Sequence, residues 1–174
     1  MLWKNLVPGG RFEVSYAFKP TPFISALRPA ERLTKFEEGR EQSIIGDPVY
    51  FDVRLPSSFE DIEIVLEHKN PTGQKFTFGS FIDRAAWKFR NADLFITDNG
   101  DGFFVARAKL RTEGLDIMQR TITFVFGAPD ASILNPITVY KISVFATKKP
   151  LKFAEAPFYL FVKLLHKISL IRNF

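Results

Sequence analysis

The stretch Pro48–Leu55, PVYFDVRL, carries the pattern that decides the fold. Apolar residues occupy every second position along it, which is the period of a β-strand with one buried face. One face consists of Val49, Phe51, Val53 and Leu55, and the other carries Tyr50, Asp52 and Arg54. The stretch therefore predicts a strand that packs one side against a hydrophobic core.

The same alternation recurs along the chain, and turn-forming residues separate the segments. The further predicted strands are Arg11–Phe18, Asp61–His68, Lys75–Phe81, Leu94–Thr97, Phe103–Leu110, Gln119–Phe126 and Ile137–Thr147. Turns are predicted at Asn70–Gly73, Asp98–Gly102, Gly127–Asp130 and Asn135–Pro136. No helical pattern separates the strands, so parallel crossovers are not expected. The prediction is an all-β protein, an antiparallel, jelly-roll-like β-sandwich with Phe51, Phe124 and Phe126 in its core.

Three regions follow from this pattern: a flexible N-terminus at residues 1–10, the sandwich at 11–151 and a C-terminal helix at 152–174. Within the sandwich, Thr21–Arg40 is expected to be irregular and to cross the sandwich edge or change sheet, because it is rich in proline. The helix is predicted to be amphipathic, with apolar residues at helical spacing from Leu160 to Ile171 and lysines opposite. We expect its apolar face to pack on the sandwich; the alternative is peripheral contact with a membrane or a partner.

Composition excludes several classes of function. The 174 residues carry a net charge of +5, but acidic and basic residues are interspersed, so nucleic acid is not an expected partner. The chain has no cysteine, which excludes disulfides, thiolate nucleophiles and cysteine-ligated zinc. It contains 20 Phe, and this enrichment predicts a large, dry core. The opening residues do not read as a signal peptide, and no apolar run is long enough for a transmembrane helix.

The titratable residues form no recognisable catalytic or metal-binding motif. His68 and His166 are too far apart in sequence for zinc-ligand spacing, and no Gly-x-Ser-x-Gly elbow is present. His68 alternates with apolar residues and is expected to be half-buried with its hydrogen bonds satisfied. Asp98–Gly102 is interpreted as a hairpin turn, because an EF-hand would need Glu where Lys109 stands; a calcium site shared with another loop is the alternative. The prediction is no enzyme, no cofactor and no metal, although a glycosidase needs only two facing carboxylates.

One segment, Asp83–Arg90, could bind a ligand. Trp87 stands there with Arg84 and Arg90, and flat aromatic rings flanked by hydrogen-bonding side chains suit a sugar. The competing interpretation, which we favour on sequence alone, is that Trp87 and Phe89 line the core, because large aromatic side chains are usually buried.

Two stretches resemble a known group of proteins. The first is Ile44–Pro56, continued by Phe59 and Ile62–Asn70; the second is Thr121–Pro129, followed by Ile137–Phe145 and Lys149–Leu151. Together they resemble uncharacterised β-sandwich envelope proteins of small-genome uncultivated bacteria, and also jelly-roll carbohydrate-binding modules. The resemblance implies a non-catalytic module outside the cytoplasm, in the cell envelope, that binds a glycan or another envelope protein. A structural spacer or assembly subunit is the alternative, and a glycoside-processing enzyme is the third. A long exposed edge strand, such as Ile137–Thr147, would favour assembly by strand addition.

Overall fold

A computed structural model describes residues 10–19, 21–35, 41–56 and 58–148. In these ranges the chain forms strands joined by turns, with one short 3-10 helix at Ala30–Arg32. The strands are β1 (Arg11–Tyr16), β2 (Leu33–Lys35), β3 (Gln42–Ile44), β4 (Val49–Arg54), β5 (Asp61–Lys69), β6 (Thr77–Asp83), β7 (Lys88–Asn91), β8 (Asp93–Asp98), β9 (Phe103–Arg111), β10 (Ile117–Met118), β11 (Thr121–Gly127) and β12 (Ile137–Thr147). No helix in this part of the chain has the length and hydropathy to cross a membrane.

The strands form two sheets, and every pairing is antiparallel. Sheet I has the order β2-β3-β12-β5-β9-β8, with β1 also paired to β12. Sheet II has the order β10-β11-β6-β7, with β4 also paired to β11. The prediction of an all-β, antiparallel architecture is confirmed. Strand β12 lies inside sheet I, between β5 and the pair β3 and β1, so the idea that Ile137–Thr147 offers an exposed edge is wrong.

Both sheets contribute to one hydrophobic core. Sheet II supplies Phe51, Phe124 and Phe126, which are at most 3% exposed, as their alternation predicted. Sheet I supplies fully buried residues such as Val139 and Val144. Two antiparallel sheets that share a core in this way have the arrangement of a β-sandwich.

The segment after β1 changes sheet, which is one of the two courses predicted for Thr21–Arg40. Strand β1 belongs to sheet I, whereas Ile24 bridges Val53 and Arg28 bridges Tyr50, both in sheet II. The chain then returns to sheet I as β2. The predicted C-terminal helix at 152–174 and almost all of the predicted flexible N-terminus lie outside the described residues.

His68 is buried more deeply than its sequence context indicated. Its side chain is 1% exposed and lies between the rings of Phe76 and Phe104, with centroid distances of 5.0 and 5.7 Å. Nδ1 is 3.4 Å from the carbonyl oxygen of Leu66, and Nε2 has no hydrogen-bond partner. The expectation of a half-buried, satisfied histidine is therefore wrong. Burial lowers the pKa of His68 because an apolar surrounding disfavours the charged imidazolium.

Candidate ligand-binding face

The candidate site is the outer face of sheet II, the side away from the core. Successive strand residues point to opposite faces, so the neighbours of the buried phenylalanines point outward. In the register of the sheet, Asp52 lies opposite Thr123 and Tyr50 lies opposite Val125, while Phe81 pairs with Phe89 on the next strand. The outward residues of this face are Tyr50, Asp52 and Arg54 on β4, Thr121, Thr123 and Val125 on β11, Phe81 on β6 and Phe89 on β7.

Trp87 and Phe89 lie on the surface. Trp87 is 63% exposed and Phe89 is 38% exposed, so the interpretation that both line the core is wrong. Both rings rest on Phe81, which is almost fully buried, with centroid distances of 5.8 and 4.4 Å. The Phe81 ring is in turn 6.4 Å from the ring of Tyr50 and nearly parallel to it. An aromatic surface therefore extends from β4 to the β6–β7 turn.

The backbone of Trp87 adopts a conformation that large side chains rarely take. Trp87 has φ 53°, in the left-handed region, at the end of the turn between β6 and β7. The turn is closed by the Trp87 amide, which donates to the Arg84 carbonyl over 3.3 Å, and by the Ala86 amide, which donates to Asp83 Oδ1 over 3.0 Å. A left-handed non-glycine residue costs about 1–2 kcal/mol, and the packing of the Trp87 ring on Phe81 and Phe89 offsets part of that cost.

Arg84 is held beside the aromatic rings by three contacts. Its guanidinium lies 5.5 Å from the centroid of Phe81. Nη2 donates to Thr123 Oγ1 over 3.1 Å, and Nε lies 3.6 Å from Asp116 Oδ2. The Arg84 amide also donates to Asp116 Oδ2, which fixes the carboxylate against the turn. The arginine is therefore pre-oriented, because its guanidinium group has three fixed neighbours.

The polar network continues across the sheet. The hydroxyl of Thr123 donates to Asp52 Oδ1 over 2.6 Å. Asp52 in turn accepts two hydrogen bonds from Arg28, over 2.7 and 3.0 Å, in the bidentate geometry that favours an arginine–carboxylate pair. Charged and hydroxyl groups thus run beside the aromatic rings in a connected chain, whose members polarise one another.

A shallow cavity of about 590 Å³ opens beside the turn that carries Trp87. It is lined by Ile82, Asp83, Arg84, Ala85, Asp116 and Met118. Ile82 and Met118 are 39% and 56% exposed, so the cavity offers apolar surface together with a carboxylate and a guanidinium. Such a combination suits a small polar molecule that has an apolar face.

Of the three sequence-predicted binding residues, the structure brings together Trp87 and Arg84 but not Arg90. Arg90 follows Phe89 on β7 and therefore points away from the aromatic surface. Its Nη1 donates to the carbonyl of Glu113 over 2.6 Å and lies 3.5 Å from that of Arg111. Arg90 thus ties β7 to the chain that follows β9.

A second cleft, of about 770 Å³, contains several carboxylates. Its lining includes the acidic residues Asp61, Glu63 and Asp93 and the basic residues Arg90, Lys109 and Arg111. Lys109 lies between Glu63 and Asp93 in the sheet register, and Arg111 lies opposite Asp61. Each of these carboxylates therefore has a basic residue opposite it, as is typical of a solvated sheet face.

The Asp98–Gly102 segment is a turn, as predicted. It joins β8 to β9, Gly100 and Asp101 adopt left-handed backbones, and the Gly100 amide donates to Asp98 Oδ1 over 2.7 Å. Within the described ranges, no group of three or more His, Asp or Glu side chains is placed to hold a metal ion.

Sequence reasoning missed Phe81, Thr123 and Asp116 as members of the site. Thr123 lies on β11 and Asp116 precedes β10, so only long-range pairing brings these two residues to Arg84, whereas Phe81 lies three residues before Arg84 along the chain. Asp52 gave a partial signal, because it interrupts an apolar strand on the outward face. No protein-family model matches the chain, and none of the curated proteins matches it either.

Proposed function

We propose that this protein is a non-catalytic module of the cell envelope that binds a glycan through the outer face of sheet II. The observation that carries the proposal is Trp87, 63% exposed on a cluster of aromatic rings beside the Arg84–Asp116 pair. The location outside the cytoplasm and the relation to jelly-roll carbohydrate-binding modules rest on the sequence resemblance.

The chemistry of the face matches that of a sugar. A pyranose ring has a face of C–H groups that can pack on a flat aromatic ring, and hydroxyl groups around its edge. Trp87 and Phe89 supply the rings, while the Asp116 carboxylate accepts hydrogen bonds and the Arg84 guanidinium donates them. Because Thr123 and Asp116 already fix Arg84, binding needs little further ordering of that side chain.

The test is a glycan array followed by titration calorimetry on the glycans that bind. Trp87→Asn removes the ring and leaves a residue that tolerates a left-handed backbone. Loss of one buried aromatic contact, about 1.5–3 kcal/mol, should weaken binding by about tenfold or more. Phe95→Ala is the matched control, because Phe95 is 62% exposed but belongs to β8 in sheet I. Unchanged affinity in Trp87→Asn, or an equal loss in Phe95→Ala, would contradict the proposal.

A specific observation favours the alternative, an assembly subunit. In the described part of the chain, β8 has a strand on one side only, so its other edge presents free backbone amides and carbonyls. Phe95 and Ile96 on this strand are 62% and 50% exposed. An added strand, from a second copy or from another envelope protein, could pair there.

Analytical ultracentrifugation separates this alternative from glycan binding. If β8 mediates self-assembly, the wild-type protein should sediment as a dimer or larger species, and Ile96→Lys should dissociate it. If the wild-type protein stays monomeric up to high concentration, the exposed edge of β8 does not mediate self-assembly.

A further inference from the structure

A third cleft, of about 460 Å³, lies at the end of strands β4 and β11. Two backbone hydrogen bonds build it. The Arg54 amide donates to the Phe23 carbonyl, and the Leu55 amide donates to the Arg120 carbonyl, each over 2.8 Å. Segments far apart in sequence are thereby fixed on the two sides of the end of β4, so the cleft is formed by sheet-anchored backbone.

The lining of this cleft is basic. It consists of Phe23, Arg54, Leu55, Pro56, Gln119 and Arg120, with two arginines and no carboxylate. Arg120 donates one hydrogen bond, from Nη1 to the Pro56 carbonyl over 3.0 Å. The exposed Arg54 guanidinium makes no hydrogen bond or ion pair with any residue that the structure describes. Two guanidinium groups with donors to spare complement an anion, and their planar fork matches a carboxylate in particular.

The same cleft offers an aromatic ring. Phe23 is 39% exposed, and its ring packs edge-on against Phe12 at a centroid distance of 5.4 Å, which holds it in place. A ligand that fills the cleft therefore needs an anionic group next to an apolar face. A uronic acid residue has both, because its carboxylate projects from a pyranose ring.

The cleft lies at the same end of sheet II as Trp87. Strand β6 runs antiparallel to β11, and Ser80 lies opposite Phe124, so the turn after β6 is near the start of β11. Arg54 lies opposite Thr121, the first residue of β11. The β10–β11 hairpin, with its turn at Gln119 and Arg120, stands between the two places. An extended chain of sugars could reach both.

We propose that the Phe23–Arg54–Arg120 cleft is an anion-binding subsite and that the glycan bound by this face is acidic. The assignment of a sugar rests on the proposed function, whereas the anion subsite rests on the two arginines alone. The anionic group is a carboxylate or a sulfate on a sugar ring.

The experiment measures affinity for a matched series of probes by titration calorimetry. The series comprises oligogalacturonate, the same oligosaccharide with its carboxylates methyl-esterified, and a carrageenan oligosaccharide, whose only anionic group is sulfate. Arg54→Gln and Arg120→Gln remove the charges and keep polar side chains; glutamine already occupies the left-handed position 119 next to Arg120. Arg107→Gln is the control, because it removes an equal charge from the outer face of sheet I.

We expect the wild-type protein to prefer an acidic probe to the methyl ester by about tenfold or more, since charge-assisted hydrogen bonds are lost with the ester. Each cleft variant should lose about tenfold on the acidic probe and nothing on the ester, and Arg107→Gln should bind as the wild type does. The better acidic probe shows whether carboxylate or sulfate is recognised.

Other results separate the two proposals. If both cleft variants keep the wild-type affinity, the anion subsite is overturned. If Trp87→Asn loses affinity in the same experiment, glycan binding by the aromatic face is still supported. If the cleft variants lose affinity while Trp87→Asn binds as the wild type does, the anion subsite is supported and the role of the aromatic face is overturned. Failure of the wild-type protein to bind any probe of the series overturns the acidic-glycan assignment, while binding of a neutral glycan on the array would preserve the proposed function.

Discussion

Phe124 offers the most direct test of the sandwich core. Its side chain is 0% exposed and lies between the rings of Phe51 and Phe78, at centroid distances of 5.4 and 5.6 Å. Truncation of a buried phenylalanine to alanine costs about 3–5 kcal/mol through lost burial and the cavity left behind. Because two ring contacts of about 0.5–1.5 kcal/mol each are lost as well, we expect Phe124→Ala to fall at the upper end, near 4–5 kcal/mol.

Such a loss is a large part of the total stability of a domain, which is typically about 5–15 kcal/mol. For a protein of this size it should lower the melting temperature by about 10–20 °C. Urea unfolding followed by circular dichroism measures the free energy directly, and the slope m should not change. Phe95→Ala, at an exposed position, should change stability by less than about 0.5 kcal/mol. Equal losses in the two variants, or a loss below about 1 kcal/mol in Phe124→Ala, would refute the packing argument.

Three further predictions concern acid, metal and the C-terminus. Burial lowers the pKa of His68 below its ordinary value of 6.5, so the unfolded chain binds the proton at a higher pH than the folded protein does. The free energy of unfolding should therefore decrease as the pH falls below about 6.5. Urea unfolding at about pH 7.5 and 5.5 should show a smaller decrease for His68→Leu than for the wild type. If Asp98 and Asp101 form only a turn, calcium should not raise the melting temperature; a rise that Asp101→Ala abolishes would establish a site. If the predicted helix packs on the sandwich, deletion of the residues after Ala156 should lower the melting temperature. If the intact protein floats with anionic liposomes, the truncated protein does not, and their melting temperatures are equal, the helix contacts a membrane instead.

The strands were predictable where the alternation is long. Ile137–Thr147 was predicted with the bounds that the structure shows, because eleven residues carry several periods of the pattern. Strands β2, β3, β7 and β10 span two to four residues and were missed, since so few positions cannot establish a period. The sheet order could not be read from the sequence either, and β12 was accordingly considered as an edge although it lies inside sheet I.

The candidate site was predictable only in part, for a physical reason. Burial statistics placed Trp87 in the core, but its environment depends on a left-handed turn and on Phe81, which already fills the space beneath it. Arg84 was identified from its proximity to Trp87 in sequence, whereas Asp116 and Thr123 lie 32 and 39 residues from Arg84 and meet it only through long-range pairing. Local pattern thus predicts which face a residue occupies, and long-range pairing decides which residues meet there.

The central place of β12 has a consequence for how the protein is made. Its partners include β1, with Arg11 opposite Thr147, so the first and last described strands of the chain lie side by side. Strands β1 and β5 cannot pair with β12 until residue 147 has left the ribosome. At a synthesis rate of about 5–20 residues per second, the edges that they offer to β12 stay unpaired for several seconds or longer. Contacts of such long sequence separation also make folding slow. A chaperone that shields β5 during this interval would therefore raise the yield of folded protein more than it would raise its final stability.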